Sequence, residues 1–303
     1  MGADGIRVFD RRAVRRHRDR AAAGLAEHDF LIREVAERLA DRLDDIQRDF
    51  PTALDLGCHG GQLGGLIGRR GGIEMLCRAD LSFEMARRAG GPALVADEEA
   101  LPFADASLDL VLSVLSLHWV NDLPGALVQI RRALKPDGLF LAAMLGGETL
   151  GELRQSLIAA EVAVAGGAGP RVSPFVEIRD AGGLLQRAGF ALPVVDADTL
   201  TFSYRDAFAL MHELRGLGES NAVAARAKRP TRRQTLLEAA RLYWKRFGDA
   251  DGRVPATFQV LYLTGWAPDA SQPRPLRPGD AAARLADALG TEERTSGEKA
   301  EPE

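Results

Sequence analysis

A length of 303 residues allows one large domain or two ordinary ones, and 46% hydrophobic with 27% charged residues supplies enough apolar material for a substantial core. The formal net charge of −4 gives no general pull toward nucleic acid, and no apolar run approaches the roughly 18–20 residues of a membrane-spanning helix. The two cysteines, Cys58 and Cys77, form no C-x-x-C pair, which excludes a zinc ribbon or dithiol redox motif and fits a reducing compartment.

The N-terminal stretch is rich in arginine but also carries Asp4, Asp10 and Asp19 and lacks an apolar segment. It reads as mature protein rather than a secretory or mitochondrial leader. Arg7 to Arg20 is a basic helical stretch. Its arginines Arg11, Arg12, Arg15, Arg16, Arg18 and Arg20 read as a solvated face, the alternative being a dock for an acidic partner or a membrane surface. Phe30, Leu31, Val35, Leu39, Leu43 and Ile46 follow at helical spacing, and Phe50-Pro51 ends that helix.

The period then changes. Ala53 to Gly57 is a short strand entering glycines, and Gln62 to Arg69 starts a helix. Ile73 to Ala79 is a strand ending at Asp80, Phe83 to Ala89 a helix, and Ala93 to Ala96 a strand ending at Asp97. Leu108 to Val114 is a fourth strand and Leu123 to Leu134 a helix stopped by Pro136-Asp137-Gly138. Leu139 to Met144 is a fifth strand. Glu148 to Val164 and Ile178 to Ala188 read as helices, and Leu192 to Tyr204 and Thr257 to Trp266 as strands that complete the first sheet. Arg205 to Phe247 is a mostly helical insertion between them, expected to act as a lid.

The expected fold class is therefore α/β: a Rossmann-like, seven-stranded, mostly parallel sheet with helices on both faces and a helical lid. Residues 1–50 form an N-terminal helical segment, 51–268 the ligand-binding domain and 269–303 a mobile tail, with a short helix at 281–289.

Three strand ends carry the ligand argument. Asp55-Leu56-Gly57-Cys58-His59-Gly60-Gly61 is a tight strand-to-helix turn in which glycine lets a ligand approach the backbone. Asp80 can accept both hydrogen bonds of a ribose diol, and Asp97, followed by Glu98, can accept from an adenine amino group. Neither the dinucleotide spacing G-x-G-x-x-G nor a phosphate-cradling G-x-x-x-x-G-K-[ST] run is present. An acid at Asp55 suits a cationic, phosphate-free nucleoside such as S-adenosylmethionine and would repel pyrophosphate.

The run Leu54-Asp55-Leu56-Gly57-Cys58 resembles the first motif of S-adenosylmethionine-dependent methyltransferases. Leu101-Pro102-Phe103, Leu108-Asp109-Leu110-Val111 and Leu134-Lys135-Pro136-Asp137-Gly138 resemble later motifs of that superfamily. The resemblance implies cofactor contacts from Asp55, Gly57, Cys58, Gly61, Asp80, Leu81, Asp97, Glu98 and Ser113, and no metal. Where the family usually has glycine this chain has His59, whose β-carbon crowds the amino-acid end of the pocket unless Gly60 or Gly61 lets the loop shift.

Further runs stand out: Val8-Phe9-Asp10-Arg11, Ala96-Asp97-Glu98-Glu99, Leu115 to Pro124, Gly218-Glu219-Ser220-Asn221 and Val254-Pro255-Ala256-Thr257. Over roughly Ile6 to Arg274 they resemble the mitochondrial complex I assembly factors with a methyltransferase fold, and their bacterial relatives. The Ser116 to Pro124 run is also similar to the malonyl-acyl-carrier-protein methyltransferases of biotin synthesis. The first resemblance implies modification of an arginine, by hydroxylation or methyl transfer, on a complex I iron–sulfur subunit, with no nucleic acid and with peripheral membrane contact left open. It implies a cytoplasmic location, or the mitochondrial matrix or inner-membrane face in a eukaryote. The second implies O-methylation of a carrier-bound acid, and a non-catalytic assembly chaperone is a third reading. The one H-x-D pair, His17 and Asp19, sits on the basic stretch and reads as solvated rather than as an iron site.

On chemistry, His118 could orient an acceptor or take its proton and Trp119 could wall the pocket; a packed, capped loop is the alternative. Glu219 could pair a guanidinium by two parallel hydrogen bonds, with Asn221 beside it, whereas helix capping by Ser220 or Asn221 is the competing reading.

Overall fold

In the computed structural model, residues 7–273 together with Asp287, Gly290 and Thr291 are described. The chain through Pro268 forms one compact unit, and residues from Asp269 belong to a second, in whose described part Asp269 N–H donates to Gln272 Oε1 at 3.2 Å. The expected helix at 281–289 lies largely outside the described residues.

The sheet runs through β1 (Thr52–Leu56), β2 (Met75–Asp80), β3 (Ala93–Val95), β4 (Leu108–Val114), β5 (Leu134–Leu145), β6 (Ala191–Tyr204) and β7 (Val254–Trp266). Its seven strands lie in the order β3-β2-β1-β4-β5-β7-β6. The first five pair parallel, while β7 runs antiparallel to both β5 and β6. The two late strands thus complete the first sheet, as their period-two pattern suggests.

The central strands are apolar on both faces because helices cover both. Along β5, Leu139, Leu141, Ala143 and Leu145 enter one core and Phe140, Ala142 and Met144 the other. The first core packs against α2 (Phe30–Asp44), α6 (Gly151–Ala165), α8 (Ala207–Gly216) and α9 (Arg233–Phe247). The second packs against α5 (Leu123–Ala133) and α7 (Ile178–Ala188). Two short helices, α3 (Gln62–Ile67) and α4 (Phe83–Arg88), follow β1 and β2. Ser82 caps α4, Asp122 caps α5 and Asp206 caps α8, each side chain accepting from a first-turn N–H.

Two elements depart from the sequence expectation. Lys135 to Gly138 does not separate helix from strand. It belongs to β5 as a bulge, the pairing jumping from Leu108–Leu134 to Leu110–Leu139, with Asp137 at φ 60°. The insertion after β6 is helical only at its ends; residues 217–232 between α8 and α9 are loop. Among the described residues no helix is long and apolar enough to cross a membrane.

Candidate functional site

The parallel strands deliver their carboxyl ends to one edge, the place where open α/β sheets bind ligands. Asp55 stands one residue before the end of β1. It is 1% exposed, and neither carboxylate oxygen has a hydrogen-bond partner. Burial pushes its pKa up to about 7, Arg78 opposing and Asp80 adding to the shift. A buried carboxyl group left this way can take a hydrogen bond from a ligand or a water.

The turn after β1 has Gly57 at φ 72° and Gly61 at φ 87°, backbone that favours glycine. The close neighbours are protein, however: a β-carbon on Gly57 would stand 2.1 Å from the Ser116 Cβ, and one on Gly61 would stand 2.4 Å from the Ala89 carbonyl oxygen. Cys58 is buried, and burial pushes its thiol pKa up, so it is an inert wall. His59 takes φ 48° and turns its ring inward to place Nε2 2.9 Å from the Val114 carbonyl oxygen. Burial, aided by Arg18, lowers its pKa, so the ring is neutral. The histidine standing at the family's usual glycine therefore bridges the ends of β1 and β4.

Asp80 ends β2 and is fully buried. His59 N–H and Ser82 N–H donate to it at 3.1 and 2.8 Å, and Arg18 Nη1 lies 3.3 Å from both oxygens. Arg18 comes from α1 (Arg11–Ala21) and is only 1% exposed. It also reaches Glu98 Oε1 at 3.3 Å and Ser116 Oγ at 2.8 Å. Arg11, on the same helix face, donates to Asp97 Oδ1 at 2.6 Å, to Glu98 Oε2 and to the Trp119 carbonyl oxygen. Burial acts to raise the Glu98 pKa, but Arg11, Arg18 and the Ser116 hydroxyl overcome it and hold the group at about 2.

This corrects the reading of the N-terminal stretch as a solvated face: Arg11 and Arg18 are built into the ligand edge. It also corrects Glu98, whose oxygens serve internal pairs. Ser113, expected beside the cofactor, is fully buried and spends its hydroxyl on the Leu56 carbonyl at 2.7 Å. Leu81 packs with the Phe9 and Trp119 cluster. His17 and Asp19 do not converge: His17 Nδ1 faces the Ser220 carbonyl, and Asp19 accepts from Ser82 Oγ. Among the described residues no group of three or more His, Cys, Asp or Glu side chains is placed to hold a metal ion.

Beyond β4 the chain makes a tight turn, Leu115 at φ 48°, into a helical turn at Leu117–Trp119. Here His118 Nε2 and Trp119 Nε1 lie 3.1 and 2.9 Å from Glu219 Oε2. Burial acts to raise the Glu219 pKa, but His118 and Arg18 overcome it, so Glu219 is held below the usual carboxylate range and is charged at neutral pH. Oε1 carries no hydrogen bond from any described residue. Asn221 ties the loop down instead: Nδ2 donates to the Pro170 carbonyl and Oδ1 accepts from Val223 N–H. Glu219 lines a cavity of about 470 Å³, within the range of small-ligand sites, walled by residues such as Leu31, Leu115, Leu150, Phe175, Met211 and Phe258.

Arg18, Arg11, Ser116 and Phe175 were missed by sequence reasoning. A signal existed for the arginines: Arg11, Val14, Arg18 and Ala21 fall at i, i+3, i+7 and i+10, so the cations share the stripe of the helix's few apolar residues. Nothing in the sequence marks Phe175.

Residues 54–142 match the methyltransferase domain family. A putative methyltransferase from Bacillus halodurans superposes with a TM-score of 0.54 at 15% identity, covering 77% of this chain and 99% of that one. This is an enzyme of the S-adenosylmethionine-dependent methyltransferase superfamily, whose fold it shares.

Within the superfamily the similarity is closer. The chain is 45% identical to the arginine-hydroxylase NDUFAF5, mitochondrial, of Danio rerio, over 93% of this chain and 90% of that protein. It is 44% identical to the Homo sapiens protein of the same name, over 91% and 81%. It is 36% identical to malonyl-[acyl-carrier protein] O-methyltransferase of Laribacter hongkongensis, over 89% and 94%. The chain belongs to the family of these NDUFAF5 proteins.

S-adenosylmethionine is the superfamily's cofactor, and the residues fit it at the acids: Asp55 has two unpartnered buried oxygens for the cationic end, and Asp97 keeps Oδ2 clear of hydrogen bonds. At Asp80 the acceptor is present but already engaged by Arg18.

Proposed function

We propose that the chain modifies an arginine side chain on a protein partner in respiratory complex I assembly, an iron–sulfur subunit, and that the chamber behind Glu219 receives that side chain. The observation that carries this reading is a charged carboxylate in the chamber's lining. Glu219 is ionised there, its Oε2 is held by His118 and Trp119, and its Oε1 is left for a guanidinium. Leu150, Met211 and Phe258 line the same space and suit the aliphatic stem of an arginine.

Glu219 would orient the guanidinium. His118, its Nε2–H directed at Glu219 Oε2, would hold that carboxylate in place. Trp119 and Phe175 would shut out water. Asp55, Asp80, Asp97 and the turn of Gly57 to Gly61 would hold S-adenosylmethionine, which supplies a methyl group on an activated sulfonium when bound. The names of the relatives at 44–45% identity, arginine-hydroxylase and mitochondrial, support arginine as the target and a mitochondrial setting for those relatives.

O-methylation of a malonyl thioester suits this chamber less well. Such a substrate carries its own carboxylate and would face Glu219. Of the cations around the chamber, Arg171 is bound to Glu161 and to Thr231 Oγ1, and Arg215 is exposed.

The test is mass spectrometry of the cognate complex I subunits from cells with and without this gene. It reads an added oxygen and an added methyl on each arginine together. A gene-dependent mark on arginine supports the reading. Unmarked arginines in the presence of the gene, or a gene-dependent methyl ester on acyl-carrier protein, refute it.

A further inference from the structure

We propose that Arg18 is an internal counter-ligand of the nucleoside site. It holds Asp80 in place of a ribose diol, adenosyl ligands bind by displacing it, and its departure loosens the loop that carries Glu219. The proposal rests on the assignment of the β2 acid to the ribose.

An ionised carboxylate offers about four lone-pair positions. At Asp80, Oδ1 takes Ser82 N–H and Arg18 Nη1, and Oδ2 takes His59 N–H and Arg18 Nη1. All four are used. The two backbone donors belong to the turns that shape the site, so the contact that can yield is the side chain. A diol therefore reaches Asp80 only where Arg18 leaves.

The surroundings say why Arg18 rests there. It is buried between two carboxylates, Asp80 and Glu98, and donates through Nη2 to Ser116 Oγ. Without a cation Asp80 and Glu98 would stand as neighbouring buried charges, a costly arrangement. Glu98 keeps Arg11 as a second partner, so withdrawal of Arg18 does not strand it. Asp97, with Oδ2 free of hydrogen bonds, loses nothing. The site thus has one movable cation, placed on the one acceptor a ribose requires.

Arg18 is also coupled to the chamber. Its neighbours on α1 grip the Glu219 loop: His17 Nδ1 lies 3.0 Å from the Ser220 carbonyl oxygen, and Arg20 Nη2 donates to Ser220 Oγ at 3.1 Å. Asp10 N–H donates to the Ala222 carbonyl, and a β-carbon on Gly218 would touch the Arg18 Cα at 3.5 Å. A helix that shifts to withdraw Arg18 pulls on residues 217–224, and with them on Glu219. Cofactor and substrate would then be sensed by one helix.

The experiment is calorimetric titration of S-adenosylhomocysteine into the full-length wild type, Arg18→Gln and Arg18→Lys. It is paired with amide hydrogen exchange of the wild type with and without the ligand. Releasing a charge-assisted competitor should tighten binding about tenfold in Arg18→Gln, and less in Arg18→Lys, which keeps the charge without the fork. In the wild type, ligand should speed exchange in α1 and in residues 217–224. Affinity that is unchanged or weaker in both folded variants makes Arg18 a neutral or ligand-holding group and overturns the proposal while leaving the cofactor assignment in place. No binding to the wild type or to either variant overturns both. If the variants do not fold, exchange decides: unchanged or slower exchange on ligand binding refutes displacement.

Discussion

The nucleoside edge and the chamber share a wall at His59 yet are built in opposite ways. His59 N–H contacts Asp80 on one side, while its ring lines the chamber on the other. At the nucleoside edge, Asp80, Asp97 and Glu98 are met by Arg11 and Arg18, so charge is neutralised from within the chain. In the chamber the walls are mostly apolar, and Glu219 keeps an oxygen without a hydrogen bond. The first region already holds a guanidinium of its own. The second leaves a carboxylate oxygen without a hydrogen bond, which the proposed arginine substrate would use. A carboxylate's partner, not its presence, separates a filled site from a receptive one.

The largest expected effect tests the receptive side. Glu219→Gln keeps the shape and removes the charge that pairs a guanidinium. Activity on the protein substrate should fall about a hundredfold, while S-adenosylhomocysteine affinity stays within about twofold. Steady-state assay and calorimetry on one preparation check this. Equal losses in both would merge the two regions into one site.

Asp55 gives the next effect, in stability and pH. Its carboxyl ionises near pH 4 in an unfolded chain but near 7 in the fold. Between those values the folded state holds the extra proton, so this group's contribution to stability falls as pH rises through that window and levels off above it. Asp55→Asn should therefore raise thermal stability above about pH 8, by on the order of 1–3 kcal/mol, with the gain vanishing toward pH 4. The same variant should bind the cationic cofactor more weakly. A pH-independent stability difference would show that Asp55 is not protonated in the fold.

The strand ends were legible in the sequence because each acid follows a short apolar run, a local pattern. Asp55, Asp80 and Asp97 could be placed on one edge from order alone. The arginines that meet them could not. Arg18 reaches partners 62 and 80 residues away, and a dense cationic run on its own looks solvated. Likewise Lys135 to Gly138 has the composition of a turn, and only the neighbouring β4 turns it into a bulge. Glu219 was found through its glycine-bounded loop. That His118 and Trp119 both point to one of its oxygens is a tertiary fact, since both lie 100 residues or more from Glu219.

Asp80→Ala tests the filled side at a more modest scale. Loss of the ribose acceptor should weaken S-adenosylhomocysteine about tenfold, with Arg18 still held by Glu98 and Ser116 so that the fold survives. Calorimetry gives the affinity and circular dichroism the fold. Unchanged affinity in a folded variant would place the nucleoside elsewhere.

The smallest effect concerns Ser113, whose position at the end of β4 suggests a ligand contact and whose geometry says otherwise. The β1–β4 ladder stops at the pair Asp55–Leu112, leaving the Leu56 carbonyl beyond its last rung. The Ser113 hydroxyl donates to that carbonyl at 2.7 Å in a fully buried setting, extending the pairing by one side-chain bond just before the Gly57 turn. Ser113→Ala removes the donor and leaves a buried acceptor less well satisfied, which costs about 1 kcal/mol. The denaturation midpoint should move by that amount at constant slope, and S-adenosylhomocysteine affinity should not move. The opposite pattern, weaker ligand binding at unchanged stability, would mean that the hydroxyl turns toward the ligand and that the nucleoside edge reaches one strand further toward the chamber than Leu56 and Gly57 now define.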